Sequence, residues 1–120
     1  MKVQLICPVR GIDAATDKRV CDYVAKLEAQ GIEVHSPKRD VDQDTDKIGL
    51  EICTAHYESM KTADRVDIFY YPNSTGIHFD MGMAFALNKP YHLVEEHGED
   101  NPGKSFLKII KELERRQNNR

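Results

Sequence analysis

The stretch RVDIFYYPNSTGIHFDMGMAFAL, residues 65–87, changes its hydrophobic period halfway along, and that change sets the fold. Residues 65–71, apolar and aromatic apart from Arg65 and Asp67, stop at Pro72-Asn73, the pattern of a strand. Ser74 or Thr75 then caps a helix that ends at Lys89-Pro90. One acid, Asp80, interrupts the apolar residues of that helix. An ionised carboxylate is expensive to bury alone. Asp80 is therefore hydrogen-bonded, pushed toward its neutral form, or turned to a cleft where a ligand meets it. The last of these makes it a candidate catalytic group.

The same alternation extends in both directions. Upstream, residues 3–7 are a nearly continuous apolar run closed by Pro8, which suits a strand covered on both faces. Asp13 can cap the following helix, where Val20, Val24 and Leu27 recur at helical spacing until Gly31 supplies a stop. Residues 32–35 read as a second strand, and residues 36–47 as one long polar loop without periodicity, of the kind that covers a site. Ile52, Cys53, His56, Tyr57 and Met60 fall on one helical face. Downstream, residues 91–94 make a fourth strand, residues 95–104 a glycine- and acid-rich loop, and Phe106, Ile109, Ile110 and Leu113 mark a last amphipathic helix that frays over 115–120.

Four strand–helix alternations and the right-handed crossover rule predict an α/β fold: a single three-layer, Rossmann-like (flavodoxin-like) domain over residues 1–120. Its sheet is mostly parallel, with four to five strands in the order 2-1-3-4(-5). Gly82 and Ala86, four apart, are expected to let the Asp80 helix approach its neighbours closely.

The totals agree with one unit. A chain of 120 residues, 40% hydrophobic and 31% charged, can bury its core without disulfides. Cys7, Cys21 and Cys53 show no paired spacing, so they read as reduced core thiols. A net charge of -3 without a basic cluster argues against a nucleic-acid partner. The short apolar start, soon followed by Pro8 and Arg10, is not expected to serve as a signal peptide, and no run reaches membrane-span length. A cytoplasmic location and no membrane partner are the expectations.

In open parallel sheets ligands bind beyond the carboxyl ends of the strands, near the switch in strand order. Here the segments after strands one and three meet. Arg10 brings a permanently charged, forked donor, with Gly11 beside it. Ser74, Thr75 and Gly76 open a helix whose free backbone N–H groups favour a phosphate or a sugar hydroxyl. Asp80 lies one turn further in.

Residues 7–11 (CPVRG) together with residues 74–86 (STGIHFDMGMAFA) resemble the nucleoside 2-deoxyribosyltransferase superfamily, including its deoxynucleoside 5'-monophosphate N-glycosidase branch. The resemblance runs from the first strand to about Pro90. It implies that Asp80 occupies the place of the helix-borne carboxylate that attacks the anomeric carbon. It also implies that Arg10, Gly11, Ser74 and Gly76, with His78 beside them, hold the phosphate and sugar of the substrate. The family carboxylate is normally glutamate, so Asp80 is one methylene shorter, about 1.5 Å back on an unmoved backbone. The family acid near the nucleobase stands eight residues before a helix-ending aspartate; counted back from Asp64, that place holds His56, a candidate proton donor to the departing base.

The chemistry fits these residue types, because breaking an N-glycosidic bond develops positive charge on the sugar that a carboxylate can stabilise or capture. The expected activity is cleavage or transfer at the N-glycosidic bond of a 2'-deoxynucleoside or its 5'-monophosphate. The alternative is a nucleotide-binding module that has lost the chemistry. The partner is a small nucleoside or nucleotide, no cofactor or metal is implied, and the resemblance implies a homodimer or higher homo-oligomer. Plainer readings stand beside these. Asp80 can be an early-helix acid stabilised by the helix N-terminus, worth roughly 0.3–1 kcal/mol. Arg10 can pair with Asp40 or Asp42, and His56 can be a hydrogen-bonded core residue. Asp40, Asp42, Asp44 and Glu51 imitate a calcium loop, but Thr45 stands where its turn needs glycine.

Overall fold

A computed structural model describes residues 1–46, 48–98 and 102–118. Four strands, β1 (Lys2–Ile6), β2 (Glu33–His35), β3 (Arg65–Tyr70) and β4 (Tyr91–Glu96), form one all-parallel sheet in the order β2-β1-β3-β4. The helices are α1 (Ala14–Ala29), α2 (Pro37–Asp40), α3 (Leu50–Lys61), α4 (Thr75–Ala86) and α5 (Phe106–Asn118). Among the described residues no helix is long and apolar enough to cross a membrane.

Alternation along the strands divides the core. Val3, Leu5 and Cys7 of the β1 segment, with Val34 and Phe69, pack under Val20, Val24 and Leu27 of α1. Ile6, Val66, Ile68 and Tyr70 face the other way, onto Met60 of α3, Ile77, Met81 and Ala84 of α4, and Ile110 of α5. Two helical layers therefore enclose the sheet. Each fully buried aliphatic side chain contributes about 1.5–3 kcal/mol.

Strand ends deviate from the sequence pattern for local reasons. Ile32 is held in the helix stop, its N–H on Leu27 O and that of Gly31 on Glu28 O, with Gly31 at φ 82°. That double bond is a Schellman closure, and it delays β2 by one residue. β4 runs two residues beyond the expected 91–94 because a bulge at Val94 lets pairing resume: Ile68 opposes Leu93, but Phe69 opposes Glu95. The bulge turns Glu95 toward the α1 face, where Arg19 meets it.

The polar stretch after β2 is built rather than free. Pro37 starts the single turn of α2, whose Asp40 carboxylate takes the Ser36 N–H at 2.8 Å. Asp42 accepts from the Asp44 N–H, and Asp46 caps α3 by accepting from the N–H groups of Gly49 (3.0 Å) and Ile52 (2.8 Å). Lys47, part of the loop 95–104 and the end of the tail lie outside the described residues.

Gly82 and Ala86 do not serve a close helix approach. Both are exposed, because Ile77, Met81 and Ala84, at i, i+4 and i+7, take the inner face of α4.

Candidate active site

The carboxyl ends of β1 and β3 open into a cleft of ≈ 550 Å³, within the range of pockets that hold small molecules. Its β1 side is the run from Cys7 to Asp13 and includes Arg10 and Gly11, the latter at φ 71°. Its β3 side is Tyr71 and Asn73 to Ile77, including Ser74 and Gly76. Asp80 and His56 also line it.

Ser74 is the N-cap of α4 and accepts the Ile77 N–H on its side chain at 3.4 Å. That long bond leaves the hydroxyl hydrogen free to point into the cleft. A Cβ built on Gly76 meets nothing within 4 Å, so the backbone there faces open space and a ligand can approach it closely.

One turn deeper, Asp80 is only 5% exposed and is not alone. His56 on α3 sets its Nδ1 3.0 Å from Asp80 Oδ2, and both side chains are 8% exposed. The sequence offered a hydrogen-bonded acid and a cleft-facing acid as alternatives; Asp80 is both. With an ionised carboxylate, Nδ1 is the nitrogen that carries the proton. The other nitrogen, Nε2, is buried and has no partner among the described residues. The field of Asp80 reaches nearby thiols. Burial first, then this carboxylate, pushes Cys7 up to about 12, and the same two causes in the same order raise Cys53.

Arg10 is exposed and makes no ion pair among the described residues. The pairing with Asp40 or Asp42 does not form: Asp40 is taken by Arg39, and Asp42 by Thr45 and the Asp44 N–H. The guanidinium is thus left at the mouth of the cleft.

His78 stands apart from these groups. It lines a separate depression with Tyr70, Pro72 and Phe106, its Nδ1 lies 2.6 Å from Ser74 O, and its ring meets Tyr70 and Phe106 edge-on. Residues two apart on an α-helix point about 200° from each other, so Asp80 in the cleft sends His78 away from it. His78 therefore lines the neighbouring depression and not the wall of this cleft.

Four wall residues escaped the sequence reading. Gln43 reaches the cleft from the loop after α2, tethered through Nε2 to Pro37 O at 3.1 Å, and Ile52 comes from the first turn of α3. Thr16 and Tyr71 form the far wall, and Tyr71 is fixed by a polar network. Its hydroxyl donates to Glu95 Oε1 at 3.1 Å, Arg19 grips the same carboxylate through Nε and Nη2 at 3.0 and 2.9 Å, and the His97 ring stacks on Tyr71 at 4.2 Å. Tyr71 directly follows β3, a position at the carboxyl end of a strand that would have marked it.

No protein-family model matches the sequence, and no curated protein matches it. Solved structures do. A 2-deoxyribosyltransferase from Bacillus psychrosaccharolyticus superposes with a TM-score of 0.71 at 22% identity, covering 92% of this chain and 81% of that one. The CMP N-glycosidase BcmB of Clostridium botulinum superposes with a TM-score of 0.63 at 23% identity, covering 94% and 82%. The chain has the fold of these two enzymes, the Rossmann-like arrangement that its alternation of strands and helices predicts.

Proposed function

We propose that this protein is an enzyme that cleaves or transfers the N-glycosidic bond of a nucleoside or nucleotide, with a 2'-deoxynucleoside 5'-monophosphate as the preferred class. The observation that carries this reading is the Asp80–His56 pair on the floor of a cleft whose mouth holds an uncommitted arginine and the N-terminus of a twelve-residue helix. The likeness in fold to a 2-deoxyribosyltransferase and a CMP N-glycosidase supports the same chemistry.

In this reading an Asp80 oxygen attacks the anomeric carbon, or stabilises the positive charge developing there, as the bond to the nucleobase breaks. The electron pair leaves with the base nitrogen, which takes a proton. A glycosyl ester on Asp80 is then resolved by water or by the nitrogen of a second base. His56 has Nδ1 on Asp80 and Nε2 buried, so it is better placed to orient the carboxylate than to reach the departing base. Water in the cleft can supply that proton. Arg10 and the free N–H groups opening α4 suit a 5'-phosphate, and the Ser74 hydroxyl and the bare backbone of Gly76 suit the sugar.

The test is release of free base from a panel of nucleosides and their monophosphates by wild type and Asp80→Ala. Wild type releases base and the variant slows by at least about 100-fold, the scale of losing a correctly placed reacting group. Equal rates would remove Asp80 from its role. The short, deeply placed side chain of Asp80 favours one rival, a binding module without turnover; binding by wild type with no base released over hours would establish it.

The same reading carries self-association and a place in the cytoplasm. Phe79 on the outer face of α4 and Phe85 on its flank toward α5 are 56% and 61% exposed, apolar side chains suited to contact with a second copy. Light scattering of wild type and Phe85→Glu tests this, with the variant shifted toward monomer.

A further inference from the structure

Behind the Asp80–His56 pair the core contains unpaired polarity. The buried side-chain atoms without a partner among the described residues are Gln4 Oε1 and Nε2, His35 Nε2, His56 Nε2 and Ser59 Oγ. Topology draws these four residues together. Gln4 on β1 and His35 on β2 are direct register partners, so their side chains leave the sheet on the same face. That face is the one shared by Ile6, two residues along, which packs beneath α3. His56 and Ser59, three apart, share one side of α3. Lys2 pins that helix over β1 by donating its Nζ to Ser59 O at 2.9 Å. The His35 ring lies 6.1 Å from the His56 ring, edge-on.

Gln4 is 0% exposed, and its amide carries two donors and an acceptor that meet no protein group among the described residues. Buried polar groups of this kind are satisfied by protein or by ordered water. His56 adds a sharper requirement. With Nδ1–H committed to Asp80, its Nε2 is a bare lone pair that needs a donor. Burial holds His35 toward its neutral form, with His56, Lys2 and Arg39 adding to the effect and Asp40 opposing it, so its ring can either give or take a hydrogen bond.

We propose that Gln4, His35, His56 and Ser59 enclose buried water, and that Gln4 is a positioning residue. It orders the water whose O–H is donated to His56 Nε2, which holds the imidazole in the Nδ1–H form that bonds Asp80. The catalytic consequence rests on the proposed function; the tautomer does not.

Long-range proton–nitrogen NMR of the His56 ring at neutral pH tests this directly. Wild type shows a protonated Nδ1 and an unprotonated, hydrogen-bonded Nε2. Gln4→Leu lowers the ratio of that form to its tautomer by about five-fold, the scale of one ordinary hydrogen bond, and lowers kcat for base release with KM unchanged. If Gln4→Leu fails to fold, His35→Phe reads the same signature, and His35→Gln, which keeps a polar group, restores it. A crystal structure of the wild type is expected to place water within hydrogen-bond distance of the Gln4 amide. An unchanged His56 signature in Gln4→Leu and His35→Phe, or a dry Gln4 amide, overturns the proposal. A wild type that releases no base but keeps the signature counts against the enzymatic reading alone.

Discussion

His56 of α3 and Asp80 of α4 bond side chain to side chain at 3.0 Å across 24 residues of sequence, both within the protein interior. The pair joins two helices and gives the cleft a charged floor. Replacing His56 by leucine leaves the carboxylate buried without its donor. Stability is expected to fall by about 1.5–3 kcal/mol, the range for a hydrogen bond to a charged group. His56→Gln, which keeps an N–H, recovers part of this. Urea denaturation reads the difference, and base release is expected to fall in the same order.

Gly76 separates folding from binding. Its Cβ position is open and its φ is not in the left-handed region, so Gly76→Ala keeps the fold and gains up to about 1 kcal/mol of helix propensity. The added methyl projects into the cleft where a ligand lies against the backbone. KM for a nucleotide substrate is expected to rise while the melting temperature holds or increases. A fall in melting temperature would count against the open geometry.

Glu95 links the cleft wall to pH. The Arg19 fork, aided by His97 and Tyr71 against the effect of burial, lowers its carboxyl from 4.5 to about 2. A depressed folded-state value stabilises the fold above the unfolded one, and the contribution is lost as the pH falls from about 4.5 toward 2. Melting curves should place Glu95→Gln below wild type at neutral pH, with the gap closing over that acid interval. A gap constant through the interval would assign the clamp to neutral hydrogen bonds.

The thiols report on Asp80. Of the three thiols expected in the core only Cys7 is buried, and it is pushed up to about 12; Cys53 is half-buried, and Cys21, on the outer side of α1, is exposed. At about pH 8 an alkylating reagent should mark Cys21 and spare Cys7, since the thiolate is the reactive form. Asp80→Asn removes one of the causes and is expected to speed Cys7 labelling in mass spectra without bringing it to the level of Cys21.

β1 and β3 were legible because a strand buried on both faces is a nearly continuous apolar run, and the helices because their inner faces repeat at helical spacing. Their ends were less so. Nothing in the composition of residues 91–96 marks the bulge at Val94, and α2, at one turn, is too short to show a period. In the cleft, Arg10, Gly11, Ser74 and Gly76 could be read because each lies in the short turn after a strand or opens a helix. Gln43 and Thr16 could not, since only tertiary packing brings them to the wall. His78 opens on the neighbouring depression because the helix turns it and Asp80 to opposite flanks, a separation that a one-dimensional reading does not display.

The extra residue at Val94 makes the pairing register of β4 a determinant of the pocket's shape. Paired without the bulge, Val94 would oppose Phe69 and Glu95 would pass to the opposite side of the sheet, away from Arg19. Tyr71 would then lose its anchor, and α1 its tie to the outer strand. The register of this edge is therefore not silent loop variation: a slip of pairing by a single position would remodel the chamber without touching any residue inside it.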